Sequence, residues 1–523
     1  MDREQFRKAG YAAVDRICDY FENLESYDVV PKVQPGDIAR LIADEAPQEG
    51  EPWENISKDF DRVILPGITH WQHPNFYAYF PANTTYECIL ADMYAGAVSN
   101  PGFNWLCSPA CTELESKATD WVAKLHGLDD TWQNEGKVGG GVINGSASES
   151  CLTVCIAARE RYLRLHPNTP FAELVIVATT QTHSLAAKAA LILGIEFVAI
   201  ETKEEDDWAL RGDGLRTALE EIEGQGKKPF ILIATLGSTS TGAVDKFGEI
   251  TAVTADYPSL FLHIDAAWGG VFLSLPECHD ETFLSAINAR APQSADDVGE
   301  GAICAGGEVH SISSNLHKSG LVTFDANCLW IRDRALLTSA LDVTPPFLRT
   351  AQASAGLVTD YRNMSISLGR RFRSLKIWFA LRSYGVTGFQ KHLRQLISRA
   401  EVFERALLDA DKGVPGVVLF TPRRFSLVVF RVVSLAAATP RSDTPDAVAA
   451  RLERENALNA SVVRHANEDS SLMLTPTTVG GKNCVRIAIG SPNTEDRHVL
   501  DLVEKIRRLV DRAREEVGDS KQL

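Results

Sequence analysis

The chain has 523 residues, of which 45% are hydrophobic and 23% charged, and this length and ordinary composition indicate two or three packed globular units. Its formal net charge of −16 argues against a general nucleic-acid binder, because such a protein needs a basic face to neutralise phosphates. The first residues lack the layout of a signal peptide and no apolar run could span a bilayer, so we expect a cytoplasmic protein with no membrane segment. Ten scattered cysteines without a C-x-x-C pair favour reduced thiols, and we expect no metal site.

The N-terminal stretch, residues 1–85, has the pattern of a helical arm. Apolar residues recur at roughly helical spacing between residues 2 and 25, and Asp2 with Gln5 resembles a capping box. Proline-bearing turns follow, and the stretch is too thin to hold a core of its own. We therefore expect this arm to dock on another subunit.

Residues 86–377 alternate between short apolar runs and helical stretches, which predicts an α/β domain. Five of these runs end in small or polar residues, at positions 174–178, 230–235, 260–265, 309–313 and 327–331. Fully apolar short strands between helices indicate a buried, mostly parallel sheet. Residues 289–307 are instead rich in Ala, Gly, Ser and Asp, and we expect an exposed loop there.

Residues 378–523 predict a smaller α+β domain. A helix over 388–409 precedes strands at 417–420, 425–433 and 485–489. A final amphipathic helix follows Asn493 and Thr494, and its buried stripe would consist of Val499, Leu502, Ile506 and Leu509.

Polar residues that follow the predicted strands are the candidates for a site, because ligands bind beyond the carboxyl ends of parallel strands. The segment 144–149 combines a glycine turn with two serines at a helix start, which suits a phosphate group, although simple N-capping explains the serines equally well. His183 could stack on an aromatic cofactor ring, but a lone histidine is more often structural. The hydroxyl-rich segment 235–241 could serve a phosphate or a ring substituent, and an ordinary turn is the simpler interpretation.

Asp265 and Lys318 give the sharper indication. Asp265 closes an apolar strand, where a buried carboxylate needs a partner such as a protonated pyridine nitrogen, unless the side chain only caps a turn. Lys318 follows another apolar strand, where burial would make the amine a better nucleophile, although a lysine alone is most often a surface residue. The ordered set of glycine-serine turn, histidine, hydroxyl turn, aspartate and lysine is more specific than any of its members.

At these residues the chain resembles the group II pyridoxal-phosphate decarboxylases, in particular the aromatic-L-amino-acid decarboxylases. The similarity runs over almost the whole length and is densest at residues 66–71, 76–81, 108–115, 144–149, 263–267, 315–318, 360–362 and 368–376. The resemblance implies an α/β PLP-transferase fold of type I, with a mostly parallel central sheet, a helical N-terminal arm and a C-terminal α+β small domain. It also implies a homodimer, pyridoxal 5′-phosphate (PLP) as the cofactor and an aromatic amino acid as the substrate.

Carried over position by position, the resemblance assigns roles around the cofactor ring. Lys318 would hold PLP as a Schiff base, and Asp265 would pair with the pyridinium nitrogen. His183 would stack on one face of the ring, with Ala267 on the other face. The electron-withdrawing ring would then accept the electrons of the breaking bond between Cα and the carboxylate.

The resemblance also assigns the phosphate site and the substrate pocket. The phosphate would meet Ala147, Ser148 and Asn315, while Thr239 would lie near the ring and His317 beside the cofactor lysine. The substrate pocket would be lined by Tyr79, Phe80, Pro81, Ala82, Phe103 and Gly369.

Three positions bear on substrate and product. Gly369 matches a position where plant relatives with indole substrates carry glycine and those with phenolic substrates carry serine, so we expect a preference for tryptophan. Phe347 matches the loop tyrosine that helps to reprotonate Cα in the family's decarboxylases. Plant relatives with phenylalanine at this position resemble aromatic acetaldehyde synthases. Those enzymes release aldehyde, ammonia and hydrogen peroxide. If His183 or a water donates the proton instead, the amine remains the product. Ser319, where tryptophan is usual, together with the 289–307 insertion leaves a third alternative, a PLP-binding protein without turnover.

Overall fold

Two compact units make up the chain in a computed structural model, which describes residues 1–136, 138–290, 306–435 and 444–519. The terminal unit consists of Met1–Pro81, Ser398–Phe420 and Val428–Leu523, and the central unit of Ala82–Ile397 and Thr421–Leu427. The three-part division expected from the sequence, 1–85, 86–377 and 378–523, stays a prediction. Most of the 289–307 insertion, residues 291–305, lies outside the described residues.

Helices and strands alternate through the middle of the chain. The α-helices are α1 (Arg3–Glu22), α2 (Trp53–Asp59), α3 (Tyr86–Val98), α4 (Pro109–Leu125), α5 (Ala147–Leu165), α6 (Leu185–Leu193), α7 (Gly212–Gly224), α8 (Phe247–Thr254), α9 (Leu284–Asn288), α10 (Ala335–Leu341), α11 (Ala351–Ser354), α12 (Ser374–Leu407), α13 (Pro445–Glu468) and α14 (Asp496–Val517). The strands are β1 (Gly140–Asn144), β2 (Leu174–Thr179), β3 (Glu196–Ile200), β4 (Lys228–Thr235), β5 (Phe261–Asp265), β6 (Ser311–Asn315), β7 (Asn327–Ile331), β8 (Val417–Leu419), β9 (Leu427–Val432), β10 (Thr475–Val479) and β11 (Lys482–Ala488). Among the described residues, no helix combines the length and the apolar character needed to cross a membrane.

The central unit contains a seven-stranded sheet in the order β1-β7-β6-β5-β4-β2-β3. Strands β3, β2, β4, β5 and β6 are paired in parallel, whereas β7 is antiparallel to β1 and β6. The predicted mostly parallel sheet is therefore confirmed, and the five predicted strands overlap β2, β4, β5, β6 and β7. The sequence analysis missed β1, which is short and begins with two glycines, and β3. Strand β3 is an edge strand that leaves most of its residues partly or fully exposed and so lacks an apolar run.

The first helix has the predicted start but buries no face. The amides of Glu4 and Gln5 donate to the Asp2 carboxylate at 2.8 Å, and the Asp2 amide donates to the Gln5 side chain at 2.8 Å, which confirms the capping box. No residue of α1 is buried, and Phe6 is 67% exposed. An apolar stripe left open in this way is typical of a helix that packs on another chain.

The terminal unit contains a four-stranded sheet in the order β10-β11-β9-β8. Strands β10 and β11 are antiparallel, as are β8 and β9. The predicted stripe of α14 is confirmed, since Val499, Leu502, Ile506 and Leu509 are all buried. This arrangement of helices with a small four-stranded sheet is the α+β architecture expected for the C-terminal part of the chain.

Candidate active site

The carboxyl ends of β4, β5 and β6 meet at one edge of the central sheet. Asp265 at the end of β5 is in register with Thr235 on β4 and with Ser313 on β6. Beyond the strands, the Asn315 amide donates to the Ala267 carbonyl at 3.1 Å. The parallel pairing therefore brings together the segments that carry Asp265, Ala267 and Asn315, all three predicted from the sequence.

Asp265 is a buried carboxylate that has no ion-pair partner among the described residues. Its side chain is 4% exposed, and its Oδ1 accepts a hydrogen bond from the Ala267 amide at 3.0 Å. One amide only partly offsets the cost of removing a charge from water. A cationic ligand group that reached this carboxylate would complete its interactions.

Asp265 and Lys318 both lie within electrostatic range of His183. The pKa of the His183 imidazole is lowered, first because surrounding atoms shield the ring from water and further because of the positive charge of Lys318, while the Asp265 carboxylate opposes both effects. His183 lies between the end of β2 and the start of α6, and its Nδ1 accepts a hydrogen bond from the Leu185 amide at 3.2 Å. Lys318 is half-buried in the turn after β6, where its amide donates to the Asn315 carbonyl at 3.2 Å.

His317 fixes the turn that carries Lys318. The ring is buried, its Nδ1 accepts a hydrogen bond from the Ala326 amide at 2.9 Å, and its edge meets Phe324 with ring centroids 4.8 Å apart. Burial, together with the positive charge of Lys318, lowers the pKa of His317 to about 4. The imidazole is therefore neutral at pH 7 and acts as a hydrogen-bond acceptor beside the lysine.

The N-terminus of α5 has the form of an anion site. Ser146 caps the helix, since its Oγ accepts a hydrogen bond from the Glu149 amide at 3.2 Å, and Glu149 in turn accepts one from the Gly145 amide at 2.8 Å. The next amides of the helix belong to Ala147, which is buried, and Ser148, which is exposed. First-turn amides and the helix dipole favour a phosphate there.

A chain of buried polar side chains joins this helix to β6 and extends beyond the predicted residues. Asn144 donates to Ser150 at 2.8 Å, Ser150 donates to Asn327, and Asn327 donates to the Oδ1 of Asn315 at 2.7 Å. Because Asn315 uses its oxygen in this way, its amide nitrogen is left to donate to a ligand such as a phosphate. The sequence analysis did not single out Ser150 or Asn327. Asn327 is a polar residue at the start of an otherwise apolar strand, and this is a usable signal.

Thr239 lies in the turn after β4, whose shape is set by Gly237 and Asp245. Gly237 has a φ of +83°, and a Cβ there would lie 2.9 Å from Trp268 and 3.1 Å from the backbone of Gly269. Asp245 is buried and accepts hydrogen bonds from the amides of Leu210 and Thr235, both at 2.7 Å. Thr239 itself is half-buried, and its place near a cofactor ring stays a prediction.

The residues predicted for the substrate pocket are divided between the two units. Tyr79, Phe80 and Pro81 belong to the terminal unit, and Ala82, Phe103 and Gly369 to the central unit.

Within the terminal unit, Tyr79 stacks on Trp71, with ring centroids 5.6 Å apart and an interplanar angle of 18°. The guanidinium carbon of Arg486 lies 4.1 Å from the centroid of the Phe80 ring. Trp71 and Arg486 were not singled out from the sequence, although an arginine inside an apolar strand is itself a signal of a buried charge.

The groups at the edge of the central sheet fit PLP. A buried carboxylate without an ion-pair partner suits a protonated pyridine nitrogen, and the first turn of α5 suits the phosphate. The amine of Lys318 would supply the nucleophile that an aldehyde cofactor requires. The small Ala267 side chain, 8% exposed, can accommodate a flat ring beside Asp265.

Comparisons with known proteins agree with this fit. The family model described as the pyridoxal-dependent decarboxylase conserved domain matches residues 35–291 and 305–433. Tryptophan decarboxylase 2 of Oryza sativa subsp. japonica is 36% identical over 502 residues, which cover 95% of this chain and 93% of that protein. Phenylacetaldehyde synthase of Arabidopsis thaliana is 37% identical over 504 residues, which cover 96% of this chain and 95% of that protein.

A crystal structure of Oryza sativa TDC with PLP and tryptamine has the same fold. Its TM-score to this chain is 0.87 at 32% identity, over 98% of this chain and 99% of that chain. The predicted fold type and the predicted cofactor are thereby confirmed, and so is the assignment as a carboxy-lyase, whereas the relatives' names divide between amine-forming and aldehyde-forming enzymes. The chain therefore belongs to the pyridoxal-dependent decarboxylases, and within them to the PLP enzymes that are aromatic amino acid decarboxylases or aldehyde synthases.

Proposed function

We propose that this enzyme decarboxylates an aromatic L-amino acid, preferentially tryptophan, to the arylalkylamine and CO₂. The grouping of Asp265, His183 and Lys318 supports this proposal most directly. The negative charge of Asp265 and the positive charge of Lys318 both act on the His183 ring. PLP, when bound, accepts the electron pair that the bond between Cα and the carboxylate releases as CO₂ leaves.

The residues of the group would have distinct tasks. Lys318 would hold the cofactor through Nζ and give way to the amine of the substrate. Asp265 would keep the pyridine nitrogen protonated, because a buried carboxylate strongly favours a positive charge beside it. His183, whose pKa is lowered, would be neutral near pH 7 and would not compete with the ring for the Asp265 carboxylate. An imidazole that has first taken up a proton from water can also donate that proton to Cα and return to its neutral form.

The preference for tryptophan rests on the space at Gly369. A Cβ added at this position would meet no heavy atom of the described chain within 4 Å, and its φ lies outside the left-handed region. Neither packing within the chain nor backbone conformation therefore requires a glycine. The position is exposed and leaves open space, and the preference rests on the proposal that the fused ring of tryptophan, the largest among the aromatic amino acids, uses that space.

A second candidate product, an aryl acetaldehyde, is favoured by Phe347. This side chain is 81% exposed in the turn Pro346–Leu348 and has no hydroxyl that could supply a proton. Without a proton donor there, the electron-rich Cα can react with O₂ instead. The amino acid, O₂ and water would then give the aldehyde, CO₂, ammonia and hydrogen peroxide, with two electrons passing from the amine-bearing carbon to O₂.

One experiment tests both candidates. The PLP-loaded protein is incubated with tryptophan, tyrosine, phenylalanine and DOPA, and CO₂, amine, aldehyde and peroxide are measured together. We expect equal amounts of CO₂ and amine, with tryptophan turned over fastest. Peroxide and aldehyde in equal amounts to CO₂ would establish the second candidate, and Phe347→Tyr should then restore the amine. A PLP-loaded protein that releases no CO₂ from any of the four would refute both and leave a cofactor-binding protein.

We further propose that the enzyme is a homodimer. The arm helix α1 has no buried residue, and its Tyr11 is 68% exposed. Helix α3 likewise exposes a set of large apolar side chains, namely Tyr86, Leu90, Met93, Tyr94 and Val98. Apolar surface of this extent is typical of an interface between subunits. Light scattering on the purified protein should give twice the mass of one chain, and a monomer at micromolar concentration would contradict the proposal.

A further inference from the structure

Arg486 is a buried cation inside strand β11 of the terminal unit. It is 1% exposed, and burial lowers the pKa of its guanidinium to about 9. It has no acidic partner at ion-pair distance, and its Nε and Nη2 have no hydrogen-bond partner, among the described residues. A charge kept away from water without a counter-ion is costly, so the contacts it does make need an explanation.

Those contacts converge on the segment Tyr79–Phe80. The Nη1 of Arg486 donates to the Tyr79 carbonyl at 2.7 Å, and the guanidinium carbon lies 4.1 Å from the centroid of the Phe80 ring. The Tyr79 amide donates to the Thr475 hydroxyl at 2.6 Å. Thr475 on β10 is the register partner of Arg486 on β11, so one pair of residues in the small sheet holds both backbone polar groups of Tyr79.

The segment needs to be held, because its backbone is in an unfavourable conformation. Tyr79 has a φ of +52°, in the left-handed region that a bulky side chain rarely adopts. On the following side, a Cβ at Gly490 would lie 2.9 Å from the Cδ of Pro81, so the chain passes too close for any side chain there. A strained residue of this kind persists only where its surroundings determine its conformation.

We infer that Arg486 is a positioning residue for substrate recognition, which sets the aromatic wall of Tyr79 and Phe80 without touching the substrate. The inference rests on the proposed function and on the prediction from the sequence that these two residues line the substrate pocket. An arginine suits the task because its planar fork can donate to a carbonyl while its face packs on a ring. Methionine would fill the space against Phe80 but could not donate, and lysine could donate but has no planar face.

The test compares Arg486→Met with a matched control in the same sheet, Arg431→Met. Arg431 on β9 is also buried, at 4% exposure, but its side chain pairs with Glu455 at 3.3 Å instead of contacting residues 79–81. For Arg486→Met we expect the KM for tryptophan to rise about tenfold with kcat changed by less than about threefold, because a displaced wall weakens ring binding without altering the reacting groups. Arg486→Lys should recover part of the loss, and Arg431→Met should leave KM unchanged in the folded enzyme.

The affinity for tryptamine, which lacks the carboxylate, separates positioning from direct contact. It is measured through the absorbance of the bound cofactor and so does not require turnover. Equal weakening of tryptophan and tryptamine supports the inference. Weakening of tryptophan alone would overturn it, because Arg486 would then bind the carboxylate, and unchanged affinity for both would overturn it as well.

Two further measurements distinguish a positioning role of Arg486 from a purely structural role and from a failure of the proposed function. A lowered unfolding temperature of Arg486→Met with unchanged affinities would indicate a purely structural role and overturn the inference. If Arg486→Met does not fold, Arg486→Lys and Phe80→Leu provide the same comparison. Absence of CO₂ release by the unaltered enzyme would refute the proposed function, while tryptamine binding would still decide the role of Arg486.

Discussion

Two buried charges of opposite sign distinguish the central unit from the terminal unit. Asp265 and Arg486 are 4% and 1% exposed, and neither forms an ion pair among the described residues. Asp265 ends a parallel strand at the edge where ligands collect, and one amide satisfies it only in part. Arg486 lies inside an antiparallel strand and is engaged by a carbonyl and a ring of its own unit. A buried charge can therefore serve to bind a ligand or to fix the conformation of a neighbouring segment. The contacts that the charged side chain makes distinguish these two roles.

The largest effect is expected from Lys318→Ala, which removes the amine proposed to hold the cofactor. Turnover should fall by at least about 10³-fold, because the covalent route through the lysine amine is lost. The measurements are CO₂ release and peptide mapping after borohydride reduction, which should place the cofactor adduct on Lys318 in the unaltered enzyme. Lys203→Ala, at a lysine whose side chain is 67% exposed, is the control and should retain full activity. An adduct on a different peptide would contradict the assignment.

Asp265→Asn should lower turnover by about 10²- to 10³-fold, since a neutral amide cannot keep the pyridine nitrogen protonated. The same change should raise the free energy of unfolding of the cofactor-free protein by about 1–2 kcal/mol, because it removes a buried carboxylate with one hydrogen bond. Urea unfolding with and without PLP measures both states. Loss of stability in the cofactor-free variant would show that the carboxylate is not retained for a ligand.

Arg486→Met supplies the contrasting stability result. Replacing a buried charge by an apolar side chain of similar volume is often neutral or stabilising, so we expect an unfolding free energy equal to or above that of the unaltered protein. By the proposed assignment, PLP should stabilise the unaltered protein through Asp265 and cancel the advantage of Asp265→Asn. PLP should not change the stability of Arg486→Met relative to the unaltered protein. If PLP cancelled the gain in stability equally in both variants, the two buried charges would not differ in their use.

The two sites also differ in how much of them could be predicted from the sequence. Asp265 and Lys318 each follow an apolar run, so the parallel sheet and its functional edge were visible as a local pattern. Arg486 contacts a carbonyl 407 residues earlier in the chain, and the left-handed conformation of Tyr79 leaves no mark in its residue type. Strand β3 was missed for a related reason, since an exposed edge strand carries no apolar run. Local chemistry is therefore readable from sequence, whereas contacts made by distant segments are not.

Asp245 is a third buried ionisable group, and it provides a pH-dependent reference because backbone amides donate to its carboxylate. Burial raises its pKa to about 6, although the amides of Leu210 and Thr235 act in the opposite direction. A carboxyl group whose folded pKa is raised stabilises the fold below its unfolded pKa, near 4, and loses that contribution as pH rises through about 6. The unfolding free energy of the unaltered protein relative to Asp245→Asn should therefore fall by about 2–3 kcal/mol between pH 4 and pH 7. A difference that does not change over this range would contradict the raised pKa.

The smallest effect is expected from Gly369, which is proposed to leave room for the substrate ring. Gly369→Ser should lower kcat/KM for tryptophan relative to tyrosine by up to about tenfold, since one added side-chain group changes discrimination only modestly. Gly369→Ala, which adds the Cβ alone, should give a smaller shift in the same direction if volume is the cause. Neither variant should strain the chain, because a Cβ at this position meets no heavy atom within 4 Å and the backbone is not left-handed. Equal loss with both substrates would therefore argue that Gly369 acts on catalysis in general, and an unchanged ratio with full activity would mean that the space beside it is not used by the substrate ring.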